Sequence, residues 1–210
     1  MAAATFRTKS ILLDVLSPNT YHCSMDGKLP HERSRLRRLP EEHYCGPTYV
    51  HWTLTLKDRK QGWLTDSWHL TFREILTHSL GRFHLVCPMY CLMPDHVHLL
   101  WVGHSPHSDQ RQAMTHFRKA TNKLLLKPTF AWQDQAYDHV LSIEEREKGA
   151  FEIMAGYIRG NPVRAGLVTE EEPDSYRFQG CLIPGYPDLN PSQENYWELF
   201  WRIYWRLHSE

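Results

Sequence analysis

Residues 83–102 read FHLVCPMYCLMPDHVHLLWV, and this stretch carries the strongest fold signal in the chain. Its first half is an apolar run interrupted at Pro88, which predicts a strand that is bulged or broken there, because proline cannot donate a backbone hydrogen bond. The dipeptide Pro94-Asp95 favours a turn, and the apolar run that follows it, HVHLLWV, predicts a second strand. The two runs together predict an antiparallel β-hairpin.

A further strand is predicted upstream of this hairpin. Residues 48–57, TYVHWTLTLK, alternate between apolar and polar side chains, which is the period of a half-buried strand. The alternation puts the tryptophan and the leucines on one face and His51, Thr53 and Thr55 on the other.

Three helices and a fourth strand complete the predicted fold. Capping residues, apolar stripes and terminating Gly or Pro residues mark the helices. The order β-α-β-β-α-β with an extra helix indicates the ferredoxin-like split βαβ, an α+β fold whose antiparallel sheet carries its helices on one face. The predicted segments are a helix capped by Asp66 or Ser67 and closed by Gly81, a helix from Ser108 to about Lys127, a strand from Trp132 to Leu141, and a helix from Glu144 to Gly160.

Composition divides the chain into three parts. Residues 1–47 contain four prolines and no sustained periodicity, so we expect an irregular arm. Its basic run, HERSRLRRLP, is typical of a solvated surface, and backbone phosphates are its natural ligand if it binds anything. Residues 48–168 form the predicted domain. Residues 169–210 predict an acidic linker and a Trp-rich C-terminal helix, which we expect to pack on its own domain or on a second subunit.

Overall composition argues against several classes of protein. Lys plus Arg equals Asp plus Glu at 24 each, so no global positive charge indicates a nucleic-acid partner. Five cysteines, an odd number at irregular spacings, argue against a disulfide framework. No apolar run approaches the roughly 18 residues of a membrane span, and the first residues lack the apolar core of a signal peptide. We therefore expect a soluble, cytoplasmic protein.

The pair His96 and His98 is the first candidate for chemistry. Residues two apart on a strand point to the same face, so the two imidazoles should converge. Such a pair is a ready set of ligands for a divalent cation. Two polar side chains on a solvent-facing sheet, or a structural histidine pair, would produce the same motif, so the motif alone leaves metal binding open.

Tyr157 and Asn161 are the second candidate. They lie four residues apart near the end of the third helix, within about 40° of each other around its surface. Both also have ordinary explanations, since Tyr157 continues an apolar stripe and an asparagine before a proline is common in caps and turns. If this helix lies against the histidines, Asn161 would supply a third ligand and the phenol of Tyr157 a nucleophile for a phosphate bound at the cation.

Three segments of the chain resemble a known family. CLMPDHVHLLWV, AWQDQAYDHVL and GYIRGNPVRAGLV, at these separations, resemble the single-strand DNA transposases that carry an HUH motif (histidine, hydrophobic, histidine) and one catalytic tyrosine. Within that superfamily the chain is most similar to the REP-associated tyrosine transposases. The resemblance spans about residues 49–168 and leaves the N-terminal arm and the Trp-rich tail uncovered.

This resemblance implies a role for individual residues. His96 and His98 match the HUH pair, which binds Mg²⁺ or Mn²⁺, and Tyr157 matches the nucleophile that forms a 5′-phosphotyrosine and frees a 3′-OH. Asn161 stands where relatives place a polar third ligand, often glutamine. Asp95 replaces the Asn or Glu common before the first histidine and could orient His96. The implied partner is single-stranded DNA with a hairpin structure, bound by a monomer or a homodimer.

Basic and aromatic side chains are the predicted contacts to DNA, through phosphates and stacked bases. For each basic residue a solvated surface role is the alternative. The predicted DNA-binding residues are Arg111, Arg118, Lys119, Lys123, Trp132, Arg159 and Arg164. Two other functions stay open. One is a catalytically idle DNA-hairpin-binding module on the same fold, and the other is a hydrolase of small phosphate esters that uses water as its nucleophile.

Overall fold

The hairpin predicted from residues 83–102 lies at the centre of the sheet. The structure, a computed structural model, describes residues 38–125 and 130–209. The two hairpin strands pair antiparallel, and their register shifts between Val86 and Met89, on either side of Pro88, so the predicted bulge is confirmed. The strands are β1 (Tyr49–Thr55), β2 (Leu85–Leu92), β3 (His96–Gly103), β4 (Tyr137–Val140) and β5 (Gln179–Leu182). The helices are α1 (Asp66–Arg82), α2 (Gln110–Leu124), α3 (Ile143–Glu147), α4 (Ala150–Arg159), α5 (Asn161–Arg164) and α6 (Tyr196–Ser209).

The sheet has five strands in the order β4-β1-β3-β2-β5, and every neighbouring pair is antiparallel. β3 therefore lies between β1 and β2. The β1–β3 register places Thr53 opposite His98 and Thr55 opposite His96. Because directly opposed residues share a face, the two histidines lie on the same face as the polar side chains of β1.

The opposite face of the sheet carries the largest part of the hydrophobic core. Trp52 and Trp101 are fully buried there, beneath α1 and α2. The ring of Phe117 from α2 meets two other rings edge to face. Its centroid is 5.8 Å from that of Trp101 and 5.5 Å from that of Phe72 in α1. Burial of these aromatic rings removes a large apolar area from water and fixes the two helices on the sheet.

The histidine face is also covered by helices, namely α4 and α6. The ring centroid of Phe151 in α4 is 4.9 Å from that of Tyr49 in β1 and 6.0 Å from that of Phe200 in α6. The hydroxyl of Tyr204 in α6 donates to the carbonyl of Gly103 at 3.0 Å. The Trp-rich tail therefore packs on its own domain, which is one of the two arrangements expected.

The predicted α+β class and split βαβ order are confirmed, but the expectation of helices on one face describes α1 and α2 only. The histidine face is apolar along much of its area, since Met89, Leu100 and Val102 are buried on it. Such a surface must be covered, and α4 and α6 cover it.

Several element boundaries differ from the predicted ones. The cap of α1 is Thr65, whose side chain accepts a hydrogen bond from Trp68 N at 3.1 Å, and the cap of α2 is Asp109 instead of Ser108. The Ser108 hydroxyl instead donates to the His84 carbonyl at 2.7 Å. α2 ends at Leu124, and the predicted end at Lys127 lies outside the described residues.

The second half of the domain is more broken than predicted. Of the strand predicted from Trp132 to Leu141, only Tyr137–Val140 pairs as β4, while Trp132 forms an isolated bridge to Leu56. The third helix is interrupted at Gly149, whose φ of 75° lies in the left-handed region that glycine readily adopts. β5 was missed, because it has four residues with a glycine among them and no apolar alternation.

Two predicted segments lie at the ends of the chain. The basic arm falls mostly on residues 1–37, which are outside the described residues, whereas Arg38 forms an ion pair with Asp138 at 3.1 Å. The segment beyond residue 168 contributes β5 and α6 to the structure. The domain boundaries at 47/48 and 168/169 stay predictions. Within the described ranges, no helix has the length and apolar character needed to cross a membrane.

Candidate active site

His96 and His98 converge on one face of β3, as the strand period requires. Their Nε2 atoms are 3.0 Å apart and their rings meet edge to face, with centroids 4.7 Å apart. His98 is 8% exposed, and His96 is half-buried. Two ring nitrogens thus point at one common position near the surface of the sheet.

The outer nitrogen of His96 is held by a carboxylate. His96 Nδ1 is 2.6 Å from Asp95 Oδ1, and Arg59 donates to the other carboxylate oxygen at 3.0 Å. Burial opposes a charge on Asp95, but the hydrogen bonds from His96 and Arg59 outweigh it and hold the pKa of Asp95 below its usual value. The ionised carboxylate can accept the Nδ1 proton, a hydrogen bond that leaves Nε2 as the nitrogen available to a ligand.

The outer nitrogen of His98 lies against β1. Its Nδ1 is 3.0 Å from His51 Nε2 and 3.2 Å from Thr53 Oγ1. Burial, reinforced by neighbouring imidazoles and by Arg164, lowers the pKa of His98 to about 2. Burial and the imidazoles of His139 and His96 lower the pKa of His51 to about 3. Both rings are therefore neutral at pH 7, the form in which histidine ligates a metal.

Tyr157 reaches this site from α4. Its ring centroid is 6.5 Å from that of His98, and the planes meet at 78°. The inward stripe of the helix consists of Phe151, Met154 and Ile158, which are buried, whereas Tyr157 is only half-buried. The phenol-bearing ring therefore lies beside the histidines at the edge of the packed helix face, and its side chain keeps access to solvent.

Asn161 and Arg164 of α5 are linked to Tyr157. Asn161 is 8% exposed, and its Oδ1 accepts a hydrogen bond from Arg164 Nη2 at 2.7 Å. The same guanidinium lies over the ring of Tyr157 and donates to the Tyr157 carbonyl. The Nδ2 atom of Asn161 is buried without a hydrogen-bond partner in the described part of the chain. Arg164 therefore links Asn161 to Tyr157, because its guanidinium contacts both side chains.

The donor set at His96 and His98 fits a divalent cation. Two ligands about 2.1 Å from an ion and at right angles about it are about 3.0 Å apart, which equals the separation of the two Nε2 atoms. No group of three His, Cys, Asp or Glu side chains within residues 38–125 and 130–209 could hold a metal ion. The amide oxygen of Asn161 stays the predicted third donor.

The predicted DNA-binding residues of α2 are not brought to this site. α2 packs on the opposite sheet face, so its side chains are separated from the histidines by the sheet. The Arg118 guanidinium donates to the carbonyls of Gln133 and Asp134. The guanidinium of Arg111 lies over the ring of Tyr44, with Cζ 5.8 Å from the ring centroid. Lys119 and Lys123 are exposed. These four side chains form a surface separate from the candidate site.

Two further predictions of DNA contacts have different outcomes. Trp132 is 2% exposed, and its Nε1 donates a 2.9 Å hydrogen bond to Thr121 Oγ1. Its ring centroid is 5.4 Å from that of Trp63. Stacking of Trp132 on bases is therefore wrong, because the ring fills the core. Arg159 follows Tyr157 by two residues on α4, and its guanidinium binds Asp174 through two hydrogen bonds of 2.6 and 3.1 Å.

Sequence reasoning missed His51 and Thr53 as members of the site. The alternation of β1 did place both on the face opposite its tryptophan and leucines, and that was the available signal. The pairing of β1 with β3, which puts these two residues beside His98, follows from the strand order of the sheet.

Comparison with known proteins agrees with this fold. The chain has 18% identity to a REP-associated tyrosine transposase bound to a REP hairpin, with a TM-score of 0.56 over 70% of this chain and 81% of that one. A putative transposase from Deinococcus radiodurans R1 also matches, at 18% identity and a TM-score of 0.38, over 60% of this chain and 96% of that one. No curated protein matches. The profile of the family described as IS200-like transposases matches residues 46–159, which is more than half of the chain, and the chain therefore belongs to the IS200-like transposase family.

Proposed function

We propose that the protein cleaves single-stranded DNA and transfers the cut strand through a covalent 5′-phosphotyrosine at Tyr157. The juxtaposition that carries this proposal is the approach of Tyr157 to His98, with ring centroids 6.5 Å apart, beside two converging Nε2 atoms. A core tyrosine would be walled off, whereas this side chain is half-buried.

The proposed chemistry exchanges one phosphoester for another. The phenolic oxygen of Tyr157 loses its proton and attacks the phosphorus, the new oxygen–phosphorus bond forms, and the bond to the 3′ oxygen breaks. The leaving oxygen takes up a proton and becomes a free 3′-OH. In the reverse direction a 3′-OH attacks the phosphotyrosine and releases the phenol, so the strands are rejoined without an external energy source.

The residues proposed to hold the cation are His96, His98 and Asn161. A bound Mg²⁺ or Mn²⁺ would supply Lewis-acid polarisation of a phosphate oxygen. Two imidazoles favour manganese and oxygen donors favour magnesium, so both ions fit this mixed set. Asp95 orients His96 through the hydrogen bond at Nδ1.

Hairpin DNA is the proposed substrate. The REP-associated transposase with a similar fold is bound to a REP hairpin, which supports this class of substrate. Arg164 is the basic residue next to Tyr157, and we propose that it contacts a phosphate of the single-stranded part. The exposed Lys119 and Lys123 are proposed contacts to backbone phosphates on the other side of the sheet.

A covalent adduct tests the proposed function directly. The full-length protein is incubated with a labelled DNA hairpin that carries a single-stranded extension, in the presence of Mn²⁺, and the products are separated on a denaturing gel. Wild type should give a protein–DNA adduct and a product with a free 3′ end, whereas Tyr157→Phe and His98→Ala should give neither. Tyr137→Phe removes a phenol that is 51% exposed on β4 and should behave like wild type.

The two alternative functions give different gels. Cleavage that persists in Tyr157→Phe, without an adduct, would favour a hydrolase that uses water. Binding of the hairpin by wild type without any cleavage would favour a catalytically idle module. Either result contradicts the proposed phosphotyrosine reaction.

A further inference from the structure

His51 is a buried imidazole that touches the candidate active site without belonging to the predicted ligand set. It is 6% exposed on β1 and stacks on His98 with ring centroids 5.1 Å apart and an interplanar angle of 28°. Its Nε2 is 3.0 Å from His98 Nδ1, the nitrogen that faces away from His96. A buried polar ring in this position needs a hydrogen-bonding role.

The requirements of a metal ligand define that role. A histidine that ligates a cation is neutral and presents a lone pair on one nitrogen, so its proton must lie on the other. His98 Nε2 lies 3.0 Å from His96 Nε2, so in the metal-free protein a proton on His98 Nε2 can donate to His96 and block the shared position. When a cation binds there, the His98 proton must lie on Nδ1, where an acceptor has to receive it.

We infer that His51 is a positioning residue whose Nε2 accepts the Nδ1 proton of His98 and so keeps the His98 lone pair at Nε2, a role that rests on the proposed function for its cation. Thr53 is the second neighbour of His98 Nδ1, at 3.2 Å. Its hydroxyl can donate or accept equally well, so it satisfies either tautomer and selects neither.

The surroundings of His51 hold its ring in place. Its cross-strand partner on β4 is His139, and His139 Nε2 is bound by Glu145 Oε1 at 3.0 Å. At the other end of the group, His96 is bound by Asp95 at 2.6 Å. Four imidazoles on one sheet face are thus bounded by two carboxylates.

The test measures the position of the His98 proton in the full-length protein at saturating Mg²⁺, a diamagnetic ion. Long-range ¹H–¹⁵N correlation spectra of protein labelled with ¹⁵N-histidine distinguish the two tautomers, and His98→Gln assigns the His98 signals. Wild type should carry the proton on Nδ1 when Mg²⁺ is present. His51→Phe fills the same space without an acceptor and should keep the Nε2–H tautomer at the same Mg²⁺ concentration, whereas Thr53→Val, on the same face of the same strand, should keep the Nδ1–H tautomer of wild type.

A second measurement is the affinity for Mn²⁺ by titration calorimetry. Loss of a hydrogen bond to a metal-ligating histidine weakens binding by about 10- to 100-fold, and this loss is expected for His51→Phe. His51→Gln, whose amide oxygen can accept the same proton, should recover most of the affinity and also controls for a folding defect in the phenylalanine variant.

The outcomes separate this inference from the proposed function. A wild-type His98 whose proton stays on Nε2 at saturating Mg²⁺ would overturn the inference, as would a His51→Phe variant with unchanged tautomer and Mn²⁺ affinity. A wild type that binds Mn²⁺ and shows the Nδ1–H tautomer with Mg²⁺, lost in His51→Phe, but forms no adduct with hairpin DNA would support the role of His51 and contradict the proposed function. A wild type that binds neither ion would overturn both.

Discussion

The guanidinium of Arg164 lies over the ring of Tyr157, with Cζ 4.2 Å from the ring centroid. Its Nη2 also donates to the carbonyl oxygen of Tyr157 and to Oδ1 of Asn161. A cation above an aromatic face is attractive, and the planar fork of N–H groups fixes the orientation of its partners. One side chain therefore ties the proposed nucleophile to the proposed third ligand.

Replacing Arg164 should slow adduct formation. Hydrogen bonds to charged groups contribute about 1.5–3 kcal/mol, which corresponds to about a 10- to 100-fold decrease in the single-turnover rate for Arg164→Met. Arg164→Lys should recover only part of the rate, since lysine keeps the charge but loses the planar fork. Arg177→Met removes an exposed arginine paired with Asp66 and serves as the control. A wild-type rate in Arg164→Met would show that the contact has no role.

Gly160 is expected to matter for the same contact. A Cβ at this position would lie 2.7 Å from Arg164 Nη1, so Gly160→Ala should displace the guanidinium. The backbone of Gly160 is helical, with φ −78°, and alanine in a helix is more stable than glycine by about 0.5–1 kcal/mol. We expect a slower adduct reaction with an unchanged or higher free energy of unfolding in urea. A stable variant with a wild-type rate would argue against the role of Arg164.

Asp95 should be required for tight metal binding. Asp95→Ala removes the acceptor of His96 Nδ1 and should weaken Mn²⁺ binding by about 10- to 100-fold in calorimetry. Arg59→Gln removes only the 3.0 Å hydrogen bond from Arg59 to the other oxygen of Asp95. This variant should weaken Mn²⁺ binding less. EDTA should abolish adduct formation in wild type, and excess Mn²⁺ should restore it. Equal affinities in wild type and Asp95→Ala would contradict the role of this carboxylate.

Trp132 should affect stability instead of base stacking. Trp132→Ala leaves a cavity between Trp63 and α2 and removes the hydrogen bond that Thr121 Oγ1 accepts, so the free energy of unfolding should fall by about 3–5 kcal/mol. Trp205→Ala, at a side chain that is 56% exposed, should change it by about 0.5 kcal/mol or less. Urea denaturation measures both. Weakened DNA binding with full stability in Trp132→Ala would revive the stacking role.

His69 should make the protein less stable in mild acid. Burial, with a contribution from Arg73, lowers the pKa of His69 to about 4, and its Nε2 is 3.0 Å from the Tyr90 hydroxyl. The unfolded chain, with a histidine pKa of about 6.5, binds this proton first as the pH falls. The stabilising contribution is therefore complete above pH ~6.5 and is lost as the pH falls to ~4.

The variant His69→Gln isolates this effect from that of the other histidines. Urea denaturation at several pH values should give a shallower decline in its free energy of unfolding than in wild type. Parallel curves for the two proteins between pH 6.5 and pH 4 would contradict a neutral, half-buried His69.

Local periodicity was sufficient to predict much of the fold and half of the candidate site. A period of two along β3 places His96 and His98 on one face, and the periods of the flanking segments predict the strands and helices around them. Helical spacing singled out Tyr157 and Asn161, and the family resemblance implied their roles. Short elements without a period, such as β5, and helix breaks such as Gly149 were not predicted for that reason.

Contacts between segments that are far apart in the chain are determined by which strands pair in the sheet and in which register. His51 and His98 are 47 residues apart in the chain and meet because β1 pairs with β3 in one register. A shift of that register by two residues would keep His51 on the same face but move it about 7 Å along the strand from His98, and the alternation within β1 does not distinguish these registers. The burial of Trp132 and the cover of α4 and α6 over the histidine face have the same origin, since both arise from packing among elements far apart in the chain.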